Sequence, residues 1–315
     1  MSSPAAAVTL GMVGLGRMGG NMTTRLRQAG HTVVGYDHSS DTRDVDSLEA
    51  LVAALPSPRL VWVMVPAGKP TEETLDRLRE LLVSGDVVID GGNSRYTDSQ
   101  EHARLFAEVG IGFLDAGVSG GVWGLVEGYC LMVGGAAEHV AVVQPAFDAL
   151  APVGGFVHAG GSGAGHFTKM VHNGIEYGLM QAYGEGYELM AASELGIDCP
   201  GVMETWRHGS VVRSWLLDLL ATSLVADPDL SEIRGYAEDS GEGRWTVSEG
   251  VRLAVPLPVI TAALFARFAS RQDDSPAMKV IASLRNAFGG HAVTRGGSPE
   301  EVTGAGAAPA ESRPG

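Results

Sequence analysis

The sequence predicts an α/β fold: a doubly wound parallel sheet followed by an all-α C-terminal domain. Three observations carry that expectation. Short apolar, β-branched runs alternate with helical patterns of 10–14 residues through the first half of the chain. A glycine-rich turn, Gly14-Leu15-Gly16-Arg17-Met18-Gly19, stands directly between the first strand pattern and the first helix pattern. After Gly165 strand patterns stop, and long helical patterns run to about Phe288.

The elements follow in order. VTLGMV at 8–13 reads as a short buried strand, and residues 17–29 as a helix closed by Gly30, the residue type favoured just past a helix end. TVVGYD (32–37), LVWVMV (60–65), VVID (87–90) and GFLDA (112–116) read as strands two to five, with helices such as 70–83 and 96–109 between them. Strands alternating with helices imply βαβ units and a parallel sheet. CLMVGG (130–135) and GGFVH (154–158) flank a helix at 138–149. The domain boundary is expected near residue 162. Residues 1–162 then form the sheet domain, and 163–294 an all-helical substrate and oligomerisation domain opened by a helix at 164–195. Residues 295–315 are rich in Gly, Ala, Pro, Ser and Glu without apolar periodicity, and are expected to be a disordered tail.

Composition narrows the function classes. The chain has 315 residues, 45% of them hydrophobic, enough for two domains with a sizeable core. Its formal charge of −15 argues against nucleic-acid binding, which needs a basic footprint. Cys130 and Cys199 lie far apart without metal-ligand spacing, which suggests a reducing compartment and no metal. MSSPAAAVTLGMVGLG has no basic start and no long apolar run, so no signal peptide is read. The apolar run 60–65 is too short to cross a membrane. A cytoplasmic location without membrane association is the expectation.

The G-x-G-x-x-G turn has the context that a dinucleotide-binding fingerprint requires, strand before and helix after. The expected domain is therefore of Rossmann type. Gly14 makes the tight turn, Gly16 lets backbone approach a pyrophosphate, and Gly19 packs helix on strand; Leu15, Arg17 and Met18 complete the loop. The helix N-terminus supplies N–H groups and partial positive charge. Asp37 ends the second strand, 18 residues after Gly19, where a carboxylate accepts ribose hydroxyls and repels a 2′-phosphate. His38, Ser39 and Ser40 follow, with no arginine before Arg43. NAD is expected over NADP. Ligands bind at the carboxyl ends of such strands, so Val65, Pro66 and Ala67 are candidates for the cofactor path, and Asn93 for a bridge between cofactor and substrate.

Two further stretches carry chemistry. In VSGG (118–121), Ser119 with Gly120 and Gly121 offers a hydroxyl and close backbone N–H groups to an anion. In GHFTKMVHNGIEY (165–177), Lys169, His172, Asn173, Glu176 and Tyr177 recur at i, i+3, i+4, i+7 and i+8, one face of a helix. A face carrying an amine, a carboxyl, an amide and an imidazole suits a small, polar, anionic substrate.

At this point the chain resembles the 6-phosphogluconate dehydrogenases, within the wider β-hydroxyacid dehydrogenase superfamily. GLGRMG, GGNS at 91–94, VSGG and KMVHNGIEYGLMQ at 169–181 occur there in this order, and GEGRWT at 241–246 and RNAFGGH at 285–291 extend the match to about residues 8–292. The resemblance is to a short form, since long-form members exceed 400 residues. It implies oxidative decarboxylation of 6-phosphogluconate to ribulose 5-phosphate and CO₂, in the pentose phosphate pathway. Many members prefer NADP and carry Arg after the second strand, whereas Asp37 here points to NAD; a 3-keto group is itself the electron sink, so no metal is expected. It implies Lys169 as general base and Glu176 as general acid. Ser119, Gly121, His172, Asn173 and Tyr177 would hold the sugar acid, and Arg271, Arg285 and His291 its phosphate. The last two would come from a neighbouring subunit of a homodimer or homotetramer. Arg244 stands where the long form usually has Lys, and is retained as a substrate-side cation.

Alternative readings stay open on the sequence. Another β-hydroxyacid dehydrogenase, for instance of 3-hydroxyisobutyrate, would share Gly14, Ser119 and Lys169 without needing Glu176 and Tyr177. An imine reductase on the same scaffold would be expected to replace Lys169. A non-catalytic NAD-binding protein would be expected to have lost Lys169 and Glu176.

Overall fold

The computed structural model describes residues 7–39 and 41–294. Ser40 and the tail expected at 295–315 lie outside the described residues. Among the described residues, seven strands form one sheet in the order β2-β1-β3-β4-β5-β6-β7. They are β1 (Thr9–Val13), β2 (Thr32–Tyr36), β3 (Leu60–Val63), β4 (Val87–Asp90), β5 (Gly112–Ser119), β6 (Cys130–Gly135) and β7 (Phe156–Gly160). Between them run α1 (Arg17–Gln28), α2 (Leu48–Ala54), α3 (Lys69–Leu81), α4 (Tyr96–Ala107), α5 (Gly124–Glu127) and α6 (Ala137–Leu150).

Side chains alternate between the sheet's two faces, both of which are buried. Leu10, Met12, Leu60, Trp62, Ile89 and Leu114 pack with Met22 and Leu26 of α1 and Phe147 of α6. Val13, Val61, Val63, Val88 and Phe113 pack with Leu51 of α2, Leu75 and Leu78 of α3 and Phe106 of α4.

The sheet departs from the expected all-parallel pattern in one place. β5 and β6 pair antiparallel, from Leu114 opposite Gly135 to Ser119 opposite Cys130. Only Gly120–Tyr129 joins them, through a 3-10 turn at Gly121–Trp123 and the short α5, and such a link returns the chain alongside instead of crossing over. The pairing also extends β5 three residues past its expected end at 116, so Val118 and Ser119 belong to the strand. β7 begins two residues later than expected because Gly155 donates to the Pro152 carbonyl in a turn that uses Gly154 at φ +79°.

The helical part contains α7 (Ala164–Ala191), α8 (Cys199–Trp206), α9 (Trp215–Ala226), α10 (Glu242–Arg252), α11 (Pro258–Ala269) and α12 (Pro276–Gly289). By their own contacts the residues form two compact units. Among the described residues, the first holds 7–39, 41–232 and 239–264, the second 233–238 and 265–294. Within the second, Arg267 donates to the Glu238 carbonyl, Ser270 Oγ accepts from Ala237 N–H, and Arg234 pairs with Asp273 at 2.9 Å.

In the first unit, the start of α7 is fixed to the sheet. Asp115, on β5 and fully buried, accepts from Gly163 N–H at 2.7 Å and His166 N–H at 2.9 Å. These are first-turn donors that the helix itself cannot satisfy. His166 Nδ1 meets Ser99 Oγ of α4 at 2.7 Å. The approach is close enough to demand glycine. A Cβ on Gly165 would stand 2.3 Å from the Asp115 carbonyl oxygen, and one on Gly117 would stand 2.5 Å from Lys169 Cβ.

Asp115→Ala removes two charge-assisted hydrogen bonds and leaves two buried N–H groups without an acceptor. Chemical denaturation is expected to give a loss of about 3 kcal/mol. A loss below about 0.5 kcal/mol would mean that the helix is held otherwise.

Candidate active site

The carboxyl ends of the strands and one face of α7 line a single cleft of about 1790 Å³ in the first unit. At one end lies the glycine-rich turn, where each glycine has its own reason. Gly14 has φ +94°, and a Cβ there would stand 2.5 Å from the Met64 carbonyl oxygen. A Cβ on Gly19 would meet the Gly14 carbonyl oxygen at 2.0 Å. Gly16, at the N-cap of α1, has ordinary angles and no atom within 4 Å of such a Cβ. That space opens on the cleft where α1 presents its unpaired N–H groups, so a pyrophosphate fits there.

Asp37 is set beside this turn. Its Oδ2 accepts from Leu15 N–H at 2.6 Å, and its Oδ1 from Ser39 N–H at 2.8 Å. Asp37 also accepts from Ser39 Oγ at 3.3 Å and lines the cleft, where a carboxylate suits ribose hydroxyls. The Leu15 side chain packs inward against the core, and only its N–H serves the site. Val65, Pro66 and Ala67 line the cleft, and Thr71 Oγ1 ties down the Pro66 carbonyl at 2.9 Å. Buried Asp90 holds the next turn by accepting from Gly92 N–H at 3.0 Å and Ser94 Oγ at 2.6 Å, and Asn93 faces the cleft.

At the other end α7 presents Lys169, His172, Asn173 and Glu176 to the cleft, opposite Ser119, Gly120 and Gly121. Gly120 (φ +130°) and Gly121 (φ +52°) adopt conformations that other residues rarely take. Lys169 Nζ donates to Asn173 Oδ1. His172 Nδ1 lies 3.0 Å from the same oxygen. That oxygen only accepts, so Nδ1 carries a proton. In the neutral ring Nε2 is then an acceptor, and it faces Ser119 Oγ at 3.4 Å. Glu176 Oε2 stands 3.8 Å from His172 Nδ1.

Burial holds the Lys169 amine below its ordinary pKa of 10.5, while the charges of Glu176, Glu242 and Cys130 push it back up. Desolvation is the largest effect, so the neutral amine is reached more easily than on a free lysine. A neutral amine beside a carboxyl and an orienting amide can take a proton from a hydroxyl and later return it.

Residues 9–160 match the family described as the NAD binding domain of 6-phosphogluconate dehydrogenase, and residues 165–289 match its C-terminal domain. The chain belongs to the 6-phosphogluconate dehydrogenase family. It is 42% identical to YqeC of Bacillus subtilis over 91% of this chain and 99% of that one. It is 41% identical to a NAD(+)-dependent, decarboxylating 6-phosphogluconate dehydrogenase of Haloferax volcanii, covering 91% and 98%. The 6-phosphogluconate dehydrogenase of Plasmodium falciparum, solved with NADP+ and with 6-phosphogluconate, superposes with a TM-score of 0.73 at 28% identity, over 89% of this chain. This chain spans 65% of that enzyme's length.

Tyr177 and Arg244, which the sequence also placed at the site, do not line the cleft. Tyr177 shares the α7 face but is covered by α10, where Gly243 leaves room for its ring; a Cβ there would stand 2.5 Å from Tyr177 Cε2. Its hydroxyl accepts from Ser240 N–H at 3.1 Å. Arg244 is exposed and grips Asp239 through Nε at 2.7 Å and Nη2 at 3.0 Å. Arg271, Arg285 and His291 belong to the second unit; Arg271 lies over the Phe268 ring at 5.1 Å, and Arg285 and His291 are exposed. Among the described residues, no group of three or more His, Cys, Asp or Glu side chains is placed to hold a metal ion, and no helix is long and apolar enough to cross a membrane.

Among the wall residues that sequence reading missed are Trp123, Trp215, Ser240 and Glu242. The aromatic pair gave no signal, being two tryptophans in unrelated segments. Glu242 lies in GEGRWT two residues before Arg244, and a glutamate opening a helix gives no signal of its own in sequence.

The glycines give a paired test. Gly16→Ala is expected to change stability by less than about 1 kcal/mol yet weaken NADH binding at least about tenfold, since the methyl enters the pyrophosphate path. Gly19→Ala is expected to destabilise the fold by more than about 2 kcal/mol, because its methyl meets backbone. Thermal melts and fluorescence titration measure both, and equal behaviour of the two variants would contradict these assignments.

Proposed function

We propose that this protein oxidises 6-phosphogluconate at C3 and decarboxylates it, releasing ribulose 5-phosphate and CO₂, with NAD as hydride acceptor. The observation that carries the proposal is the meeting of Lys169, Asn173, His172, Glu176 and Ser119 in the same cleft as Asp37 and the glycine-rich turn. When bound, the nicotinamide accepts the hydride from C3. Neutral Lys169 takes the C3 hydroxyl proton as that hydride leaves. The resulting 3-keto acid loses CO₂ by breaking C1–C2, and the electron pair is held as an enolate whose oxygen the Lys169 ammonium protonates. Glu176 then gives a proton to the carbon that lost CO₂, while Lys169 takes back the enediol proton. Atoms and charge balance without a further reactant.

Ser119, Gly120, Gly121, Asn93, His172 and Asn173 are proposed to hold the sugar acid. The phosphate is assigned to Arg271, Arg285 and His291, with Arg244 and Tyr177 on the substrate side. A homodimer or homotetramer is proposed to bring Arg285 and His291 to a neighbouring subunit's site. The exposed Met278, Ile281, Leu284 and Phe288 of α12 support association. Sedimentation equilibrium returning a monomer would sink that part. The preference for NAD rests on Asp37, whose charge opposes a 2′-phosphate.

Purified protein is expected to reduce NAD at 340 nm with 6-phosphogluconate and to release one CO₂ per NADH; reduction without CO₂ would point to a simple 3-hydroxy-acid dehydrogenase. Lys169→Met is expected to lower kcat by about 10²–10⁴-fold with NADH binding unchanged. The wild-type kcat/KM is expected to rise with pH as Lys169 loses its proton, at a pH below the ordinary 10.5 because burial favours the neutral amine. Asp37→Ser is expected to shift the NADP-to-NAD ratio of kcat/KM at least about tenfold toward NADP. An unchanged ratio would remove Asp37 from cofactor choice.

A further inference from the structure

Glu242 is the first residue of α10 and is only 3% exposed, yet it lines the cleft. Its two oxygens are treated differently. Oε2 accepts from Ser240 Oγ, and Ser240 in turn stands beside the Tyr177 hydroxyl at 3.4 Å. Oε1 is buried and, among the described residues, has no hydrogen-bond partner. On the other side, the Glu242 charge reaches Lys169 and holds its proton on. The carboxylate therefore joins the Ser240–Tyr177 network on the wall of the cleft that Lys169 also lines.

A glutamate in a first helical turn has a bland explanation, since negative charge there favours the helix. That explanation needs neither burial nor an idle oxygen, because an exposed carboxylate serves the helix equally well. A buried carboxylate oxygen without a donor is costly, and the cost is recovered when a ligand brings the donor. The ligand's chemistry follows from charge. A carboxylate or phosphate placed against Oε1 would be repelled, whereas a hydroxyl donates to it. Polyol chains carry such hydroxyls on every carbon.

Resting on the proposed sugar-acid reaction, we propose that Glu242 Oε1 accepts a hydrogen bond from a substrate hydroxyl other than the one oxidised, and so sets hydroxyl specificity in the cleft. The same charge excludes the substrate's two anionic ends from this position, which leaves it to a mid-chain hydroxyl. Sites built to hydrogen-bond a hydroxyl reject analogues lacking it far more strongly than apolar pockets do. Glu242 is then a substrate-binding residue whose role is discrimination, separate from the proton transfers of Lys169 and Glu176.

The test compares 6-phosphogluconate with its 2-deoxy, 4-deoxy and 5-deoxy analogues in wild type, Glu242→Gln and Glu242→Ala. Wild type is expected to prefer the parent over one analogue by about 100-fold in kcat/KM. Glu242→Gln is expected to cut that one preference about tenfold and Glu242→Ala further, with the other two preferences intact. NADH Kd within about twofold of wild type shows that each variant is folded; Glu242→Gln, equal in size and shape, remains decisive where Glu242→Ala does not fold. Wild-type turnover with all three preferences unchanged in Glu242→Gln overturns the role of Glu242 alone. Absence of wild-type turnover on 6-phosphogluconate overturns the reaction on which this role rests, and the role with it.

Discussion

The carboxylate of Asp115 fixes the start of α7, the helix that carries Lys169, His172, Asn173 and Glu176. It lies on β5, wholly buried, and its two oxygens take the N–H groups of Gly163 and His166 at the start of α7. A long helix is stiff, so fixing its first turn fixes the line of its side chains. Lys169 follows His166 by three residues, and His172, Asn173 and Glu176 follow in turn on the same face. Glycines at 117, 134 and 165 let helix and strand backbones approach where any side chain would collide. Precision in the site therefore comes from the sheet, through a buried cap and close backbone contact.

The same geometry creates an electrostatic tension around one amine. Burial beneath the helix favours neutral Lys169, and Glu176, Glu242 and Cys130 favour its charged form. A base that must both take and return a proton is served by a balance of this kind, since either extreme would stop one half of the cycle. Asn173 adds orientation by accepting from Lys169 and His172 at one oxygen. The imidazole tautomer follows from that oxygen, and Ser119 is left facing an acceptor nitrogen. Removing any one of these groups is expected to disturb its neighbours, so their effects should not add.

Much of this was legible in the sequence, for identifiable reasons. Strand, G-x-G-x-x-G and helix in direct succession leave few alternatives, and Asp37 lies where the second strand ends beside that turn. The i, i+3, i+4, i+7 spacing on α7 brings Lys169 through Glu176 to one wall. What escaped depends on partners far away in the chain. The antiparallel β5–β6 pair follows from a link too short for a crossover, and the apolar pattern of a strand carries no direction. Tyr177 has the right spacing but is covered by α10, a contact permitted only by Gly243. Arg244 was read as a cation facing substrate, yet Asp239 five residues earlier engages it. The unpartnered oxygen of Glu242 could not be read at all, because an idle acceptor is a property of three-dimensional surroundings.

The central claim is that the fold makes Lys169 a readily neutralised amine at the heart of the cleft. The chain has three lysines, Lys69, Lys169 and Lys279, and the other two are exposed ion-pair partners with side chains 82% and 63% accessible. Carbon-13 labelling at lysine Cε therefore gives three NMR signals, assignable with Lys169→Met, and a pH titration reads each amine directly. One signal titrating well below the other two, and absent in Lys169→Met, is the predicted result. Three signals titrating together near the free-lysine value of about 10.4 would contradict the account, because no base would then be available near neutral pH.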